Sequence, residues 1–138
     1  MVAYSFKGRF VDPIRVGLSR ISLSYDRHPK RQTIRAVGKR RHARPGETLQ
    51  LYCGMRSPQC FKIGEARCTA VRPILIYVQA DHVEIKGERH LRSLSELDAF
   101  AQSDGFANWS EMKAFWLEEH RGKRLGPFVG ILIQWEAM

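Results

Sequence analysis

Apolar residues in this chain fall mainly into short runs that alternate with polar ones, and only a few stretches keep the wider spacing of a helix. Alternation puts successive side chains on opposite faces of a strand, whereas apolar residues three and four apart line one side of a helix. Residues 3–6 therefore predict a first strand. Phe10, Val11 and Ile14 predict a short helix over 8–16, with Pro13 early in it, where proline is tolerated, and Gly17 placed to end it. Further strands are expected at 32–37, 48–52, 61–70, 74–78 and 83–85. Gly64 marks a bulge or close approach in the longest of them, and Arg72 with Pro73 interrupts it. Two helices follow. One runs over 95–103 with Leu97 and Phe100 on its apolar face and stops at Asp104 and Gly105. The other starts from a cap at Asn108 or Ser110, carries Met112, Phe115 and Trp116, and reaches about His120. Residues 128–135 predict a last strand.

Residues 18–29 read less clearly. Ile21, Leu23 and Tyr25 alternate with serines, which suits a hairpin arm or a loop, and the stretch ends in a turn at Pro29. No linker, repeat or low-complexity segment divides the chain, so 1–138 is expected to be one domain. Six or seven short strands with Gly and Pro turns, plus an early helix and a late pair, predict a strand-rich α+β fold. A small β-barrel with flanking helices is the expected architecture.

Charge changes this picture from architecture to partner. The chain has 138 residues and a net charge of +9. Residues 27–44 hold eight Arg or Lys and two His against no carboxylate. Phosphates attract such cations, and binding releases condensed counterions, so RNA or another nucleic acid is the expected partner. Arg27, Lys30, Arg31, Arg35, Lys39, Arg40, Arg41 and Arg44 form the expected phosphate-facing surface, and Arg56 on the 54–59 loop is placed to join it. Tyr25, Tyr52 and Trp109 are candidate stacking platforms for bases. No apolar run approaches the roughly 20 residues of a membrane helix. Residues 1–10 show no signal-peptide pattern, so a cytoplasmic protein without a membrane partner is expected. Cys53, Cys60 and Cys68 form no CxxC pair, so no metal site and no cofactor is expected.

Within the basic stretch, Lys30, Thr33 and Arg35 fall inside the six residues KRQTIR. If Ile34 faces the core, Thr33 and Arg35 share the other face of the strand, and Lys30 joins them only if the chain turns after Pro29. A threonine hydroxyl needs a neighbouring base to become a nucleophile, and a desolvated lysine flanked by cations has the lowered pKa for that task. Asp104, at a helix end before Gly105, is the candidate carboxylate to orient or shuttle a proton. His28 and His42 flank the motif and form a candidate acid–base pair for a ribonuclease.

In order along the chain, Gly17, KRQTIR at 30–35, RPGE at 44–47, LQLYCGMR at 49–56, Ile63-Gly64, Asp104-Gly105-Phe106, Met112 and the closing strand at 129–135 resemble the ASCH domain of the PUA-like superfamily. The resemblance implies a PUA-like β-barrel with a cleft lined by a G…KxxTxR motif, and RNA or other nucleic acid as ligand. Some small members are amidohydrolases acting on N4-acetylcytidine, and at least one is reported to cleave RNA. By resemblance, Lys30, Thr33 and Asp104 stand at the catalytic positions and Arg35 at the motif arginine. Two departures are evident. Residues 18–29 form an insertion between Gly17 and Lys30, and Asp104 stands where the amidohydrolases place the longer glutamate.

Overall fold

A computed structural model describes residues 2–18, 28–122 and 126–138. Residues 19–27 of the expected insertion, with Tyr25 and Arg27, lie outside the described residues. The chain forms β1 (Val2–Phe6), a 3-10 turn (Gly8–Phe10), α1 (Val11–Gly17), β2 (Gln32–Ala36), β3 (Thr48–Cys53), β4 (Phe61–Tyr77), β5 (His82–Ile85), β6 (Arg89–Leu91), α2 (Leu94–Ser103), α3 (Trp109–Glu119) and β7 (Phe128–Ala137). Among the described residues the fold is a strand-rich α+β arrangement built on one mixed sheet of seven strands.

β4 is the spine of that sheet. One of its edges pairs with β3 along Phe61 to Arg67 and with β5 along Ile74 to Tyr77. Its other edge pairs with β7 from Ala66 to Ile76, and β7 in turn carries β2. β1 runs parallel to β3, while every other ladder among the described residues is antiparallel. The sheet stays open. Among the described residues no ladder joins β1 to β2, so their free edges face each other across a seam and the expected barrel is not closed by backbone pairing.

The structure corrects one sequence expectation and adds one strand to those expected. β4 is not interrupted at Arg72 and Pro73 but runs through them as a single strand of 17 residues. Pro73 has no N–H, but its carbonyl oxygen accepts from Lys86 N at 3.0 Å, so its missing donor falls where the β5 ladder is only beginning. β6, three residues after the Lys86-Gly87 turn, carries too little alternation to be read from sequence.

The helices are ended by local chemistry. Ser93 and Glu96 close a capping box at the start of α2. At its other end Gly105 takes φ +93°, Gly105 N donates to Gln102 O at 3.0 Å, and Phe106 N donates to Ala101 O at 3.0 Å. This is a Schellman motif, with fully buried Phe106 as its apolar anchor. It fixes Asp104 as the C-cap residue. Asn108 caps α3 through its side chain, accepting from Glu111 N. Leu49, Leu51, Ile74, Leu132 and Ile133 from the sheet form one core with Leu97, Phe106 and Met112.

Candidate functional site

Lys30 reaches the site from a crossing segment rather than from a strand. Lys30 N donates to Pro13 O at 2.9 Å and Arg31 N donates to Ser103 O at 3.0 Å, so this segment threads between α1 and the end of α2. This crossing, rather than a turn after Pro29, brings Lys30 into the cleft that Thr33 also lines. Gly17 makes room for it, because a Cβ there would stand 2.6 Å from Lys30 O.

Lys30 is 2% exposed. Its Nζ donates to Asp104 O at 2.8 Å and lies 3.4 Å from Asp104 Oδ2. A cation at a helix C-terminus meets the negative end of the helix dipole, so Lys30 also caps α2. The Phe10 ring lies beneath it, with Nζ 4.5 Å from the ring centroid. Burial pushes the Lys30 ammonium below its ordinary pKa, against the pull of Asp104, and Arg35 pushes the same way as burial. Burial pushes the Asp104 carboxyl up, against the opposing effects of Lys30 and Gln32. Each shift disfavours an isolated charge, and the pairing offsets part of both.

β2 places Thr33 and Arg35 on one face, as alternation requires. Arg35 Nε donates to Thr33 Oγ1 at 3.1 Å, and Arg35 Nη2 donates to Ser5 O at 2.7 Å. One guanidinium thus links the free edges of β2 and β1 across the open seam. Thr33 is 5% exposed and uses its oxygen as acceptor, which leaves its own proton for another partner.

Lys30, Thr33, Arg35 and Asp104 line one cleft of about 380 Å³, with Phe10 and Phe115 among its apolar walls. Lys7 and Glu119, joined as an ion pair, line it as well. The volume lies within the roughly 300–1,000 Å³ of small-molecule pockets. A second groove, lined by Tyr4, Lys39, Arg40, Arg41 and His42, shares Arg35 and Ala36 with the cleft.

The remaining sequence candidates are distributed unevenly. Lys30 and Asp104 are buried in the cleft, so Lys30 presents no open phosphate-facing surface. Lys39, Arg40 and Arg44 are exposed on the 38–46 loop. Arg41 is exposed too, but both of its terminal nitrogens lie 2.7 Å from Glu47 oxygens. Exposed Arg31 donates through Nε to Gly17 O at 3.3 Å. Arg56 is exposed with φ +68°, on a loop whose Met55 N donates to Oγ of Ser5, the residue whose backbone oxygen Arg35 holds. Trp109 is buried and its Nε1 donates to Asp81, so it is not a stacking platform. Half-buried Tyr52 donates its hydroxyl to Gln50. His42 has both ring nitrogens engaged, Nδ1 with the Tyr4 hydroxyl at 3.0 Å and Nε2 with Ala36 O at 2.9 Å, while His28 is half-buried.

Sequence reasoning passed over Gln32, which is 2% exposed and donates to Asp104 Oδ1. A polar residue between Arg31 and Thr33 gives no signal of burial unless the register of β2 is known. Among the described residues, no group of three or more His, Cys, Asp or Glu is placed to hold a metal ion, and no helix is long and apolar enough to cross a membrane. Compared with known proteins, the chain matches no family model, no curated protein and no solved structure.

Proposed function

We propose that this chain binds nucleic acid by gripping the backbone on its 38–44 loop and admitting one nucleobase into the cleft between β1 and β2. The observation that carries this reading is the shared wall: Arg35 and Ala36 belong both to the basic groove and to the cleft. A phosphate at the exposed Lys39 and Arg40 then stands next to a compartment of base size. The cleft suits a planar, polar ligand, because aromatic walls enclose the hydrogen-bonding groups of Thr33, Arg35 and Asp104. The resemblance to ASCH domains supports the same reading, since its motif residues are those gathered at the cleft, and the PUA-like barrel belongs to this proposal.

The test is fluorescence anisotropy with single-stranded RNA across a salt series. Affinity is expected to fall linearly on a log–log plot as salt rises, and Lys39→Ala with Arg40→Ala to flatten the slope. Affinity that is insensitive to salt between low and moderate ionic strength overturns the reading.

One observation favours a second reading, deacylation of an N4-acylated cytidine. Lys30 is desolvated with its pKa pushed down, in the same cleft as the Thr33 hydroxyl. In that reaction neutral Lys30 takes the Thr33 proton, Oγ1 bonds to the acyl carbon, and the C–N bond breaks. The proton passes to the leaving amine with Asp104 as shuttle, and water then releases the acid from threonine. Incubation with N4-acetylcytidine checks it. Absence of cytidine, or turnover untouched by Lys30→Ala, removes the deacylase. A ribonuclease using His28 and His42 has less support, because both nitrogens of His42 are occupied.

A further inference from the structure

A line of polar side chains leaves the cleft behind Asp104 and crosses three strands. Gln32 Nε2 lies 3.4 Å from Asp104 Oδ1 and 3.4 Å from Phe100 O. Gln32 and Gln134 are direct partners in the β2–β7 ladder, and Gln134 Nε2 lies 3.5 Å from Gln32 Oε1. Arg72, on β4, donates through Nη1 to Gln134 Oε1 at 3.1 Å and pairs through Nη2 with Glu88 at 2.8 Å. None of Gln32, Gln134 and Arg72 lines the cleft.

The direction of this line is set from both ends. A guanidinium only donates, so Gln134 must turn its oxygen to Arg72 and its NH2 to Gln32. Gln32 must then turn its oxygen to Gln134 and its NH2 inward. At the other end the Phe100 carbonyl only accepts, which demands the same orientation of Gln32. Asp104 Oδ1 is left facing a donor and Oδ2 facing Lys30, so both carboxylate oxygens are held as acceptors.

We propose that Gln32, Gln134 and Arg72 are positioning residues that hold Asp104 ionised and fixed in orientation, with Arg72 acting from outside the cleft through two amides. The proposal rests on the reading of the cleft as a ligand site, for which the charge on Asp104 decides whether that wall accepts or donates a hydrogen bond. Burial opposes the ionised form, and the inward-directed amide counters it. Among the described residues, the charged and titratable groups facing Asp104 are Lys30 in contact and Arg35 through its charge, with Lys7, Arg9, Glu119 and His120 around the same cleft and its cation. All six are unchanged in the variants below.

The experiment follows the Asp104 side-chain carboxyl by carbon-13 NMR as pH is varied, on the full chain without ligand. Gln134→Leu removes the central link without altering charge and is expected to move the Asp104 titration upward. Arg72→Met is expected to move it upward in the wild-type background and to add little in the Gln134→Leu background, because the link is already cut. Arg72→Lys, which still donates only, is expected to keep the wild-type titration. An unchanged Asp104 titration in folded Gln134→Leu overturns the proposal, and so does an equal effect of Arg72→Met in both backgrounds. If Gln134→Leu fails to fold, Arg72→Met alone decides: a titration identical to wild type overturns it. No nucleic acid enters this measurement, so its failure is distinct from failure of RNA binding.

Discussion

Lys30 sets its ammonium nitrogen 2.8 Å from the backbone oxygen of Asp104, a residue 74 positions away, and 3.4 Å from that residue's carboxylate. Both side chains are buried, so neither is hydrated in place of its partner. Removing one partner leaves an uncompensated buried charge, which costs about 3–5 kcal/mol. The two possible removals differ in their pH dependence.

In Lys30→Met, Asp104 loses the cation that opposes burial, and its folded pKa rises further above the ordinary 3.8. A raised folded pKa means stability that is fully present below 3.8 and is lost as pH rises through the folded value. In Asp104→Asn, Lys30 loses its carboxylate and its folded pKa falls further below 10.5. A lowered folded pKa means stability that is present above 10.5 and is lost as pH falls through the folded value. Relative to wild type, the cost of Lys30→Met therefore grows with pH in the acid range, and the cost of Asp104→Asn shrinks with pH in the alkaline range. Urea melts of the three proteins at a series of pH values check this, and slopes of the same sign in the two variants contradict it.

Gly17→Ala is expected to destabilise the protein by about 1–3 kcal/mol. In a helix, alanine is ordinarily favoured over glycine by about 0.8–1 kcal/mol, so the sign of the effect is itself informative. The added Cβ would stand 2.6 Å from Lys30 O, a backbone atom held by the hydrogen bond from Lys30 N to Pro13 O. Relief requires shifting the crossing segment and hence the Lys30–Asp104 pair. A Cβ added at Gly8 would meet no atom within 4 Å, so Gly8→Ala is the control and is expected to leave the melting temperature nearly unchanged. Thermal melts by circular dichroism read both.

The strands with clean alternation and the capped helices were legible because their signals are local. Thr33 and Arg35 on one face follow from strand period alone, and the contact between them follows from that face. The open seam was not legible, because closure depends on whether β1 meets β2, and no local pattern encodes which edges pair. The continuity of β4 through Pro73 was hidden for a related reason. Proline breaks a central strand only where its N–H is needed, and that depends on the neighbour at that position. Lys30 and Asp104 stood out by residue type and position, a lysine flanked by cations and a carboxylate at a helix end, whereas Gln32 could be found only once the end of α2 was placed against β2.

The basic loop is the last place where the structure alters a sequence expectation. Counting charges makes Arg41 equal to Lys39 and Arg40, yet Glu47 grips its guanidinium through two 2.7 Å contacts. Glu47 Oε1 also accepts from Arg44 N at 2.6 Å, so this carboxylate ties both sides of the turn. The Arg41 hydrogen bonds and the Arg44 amide hold the Glu47 pKa down to about 2. A folded pKa below the ordinary 4.5 means a stabilising contribution that is present above 4.5 and is lost as pH falls through about 2. At neutral pH the pair is intact, and a phosphate has to displace Glu47 before Arg41 can contribute fully. Replacing exposed Lys39 by Ala is therefore expected to lower the salt slope of single-stranded RNA binding by about 0.7, the value for one released counterion, and Arg41→Ala to lower it by less. Glu47→Gln removes the carboxylate charge that holds Arg41, leaving the weaker amide and the His42 carbonyl as its partners, and is expected to raise both affinity and salt slope. Anisotropy titrations over a potassium chloride series measure all three. Equal slope changes for Lys39→Ala and Arg41→Ala, with no gain in Glu47→Gln, would show that Glu47 does not withhold Arg41 from the ligand.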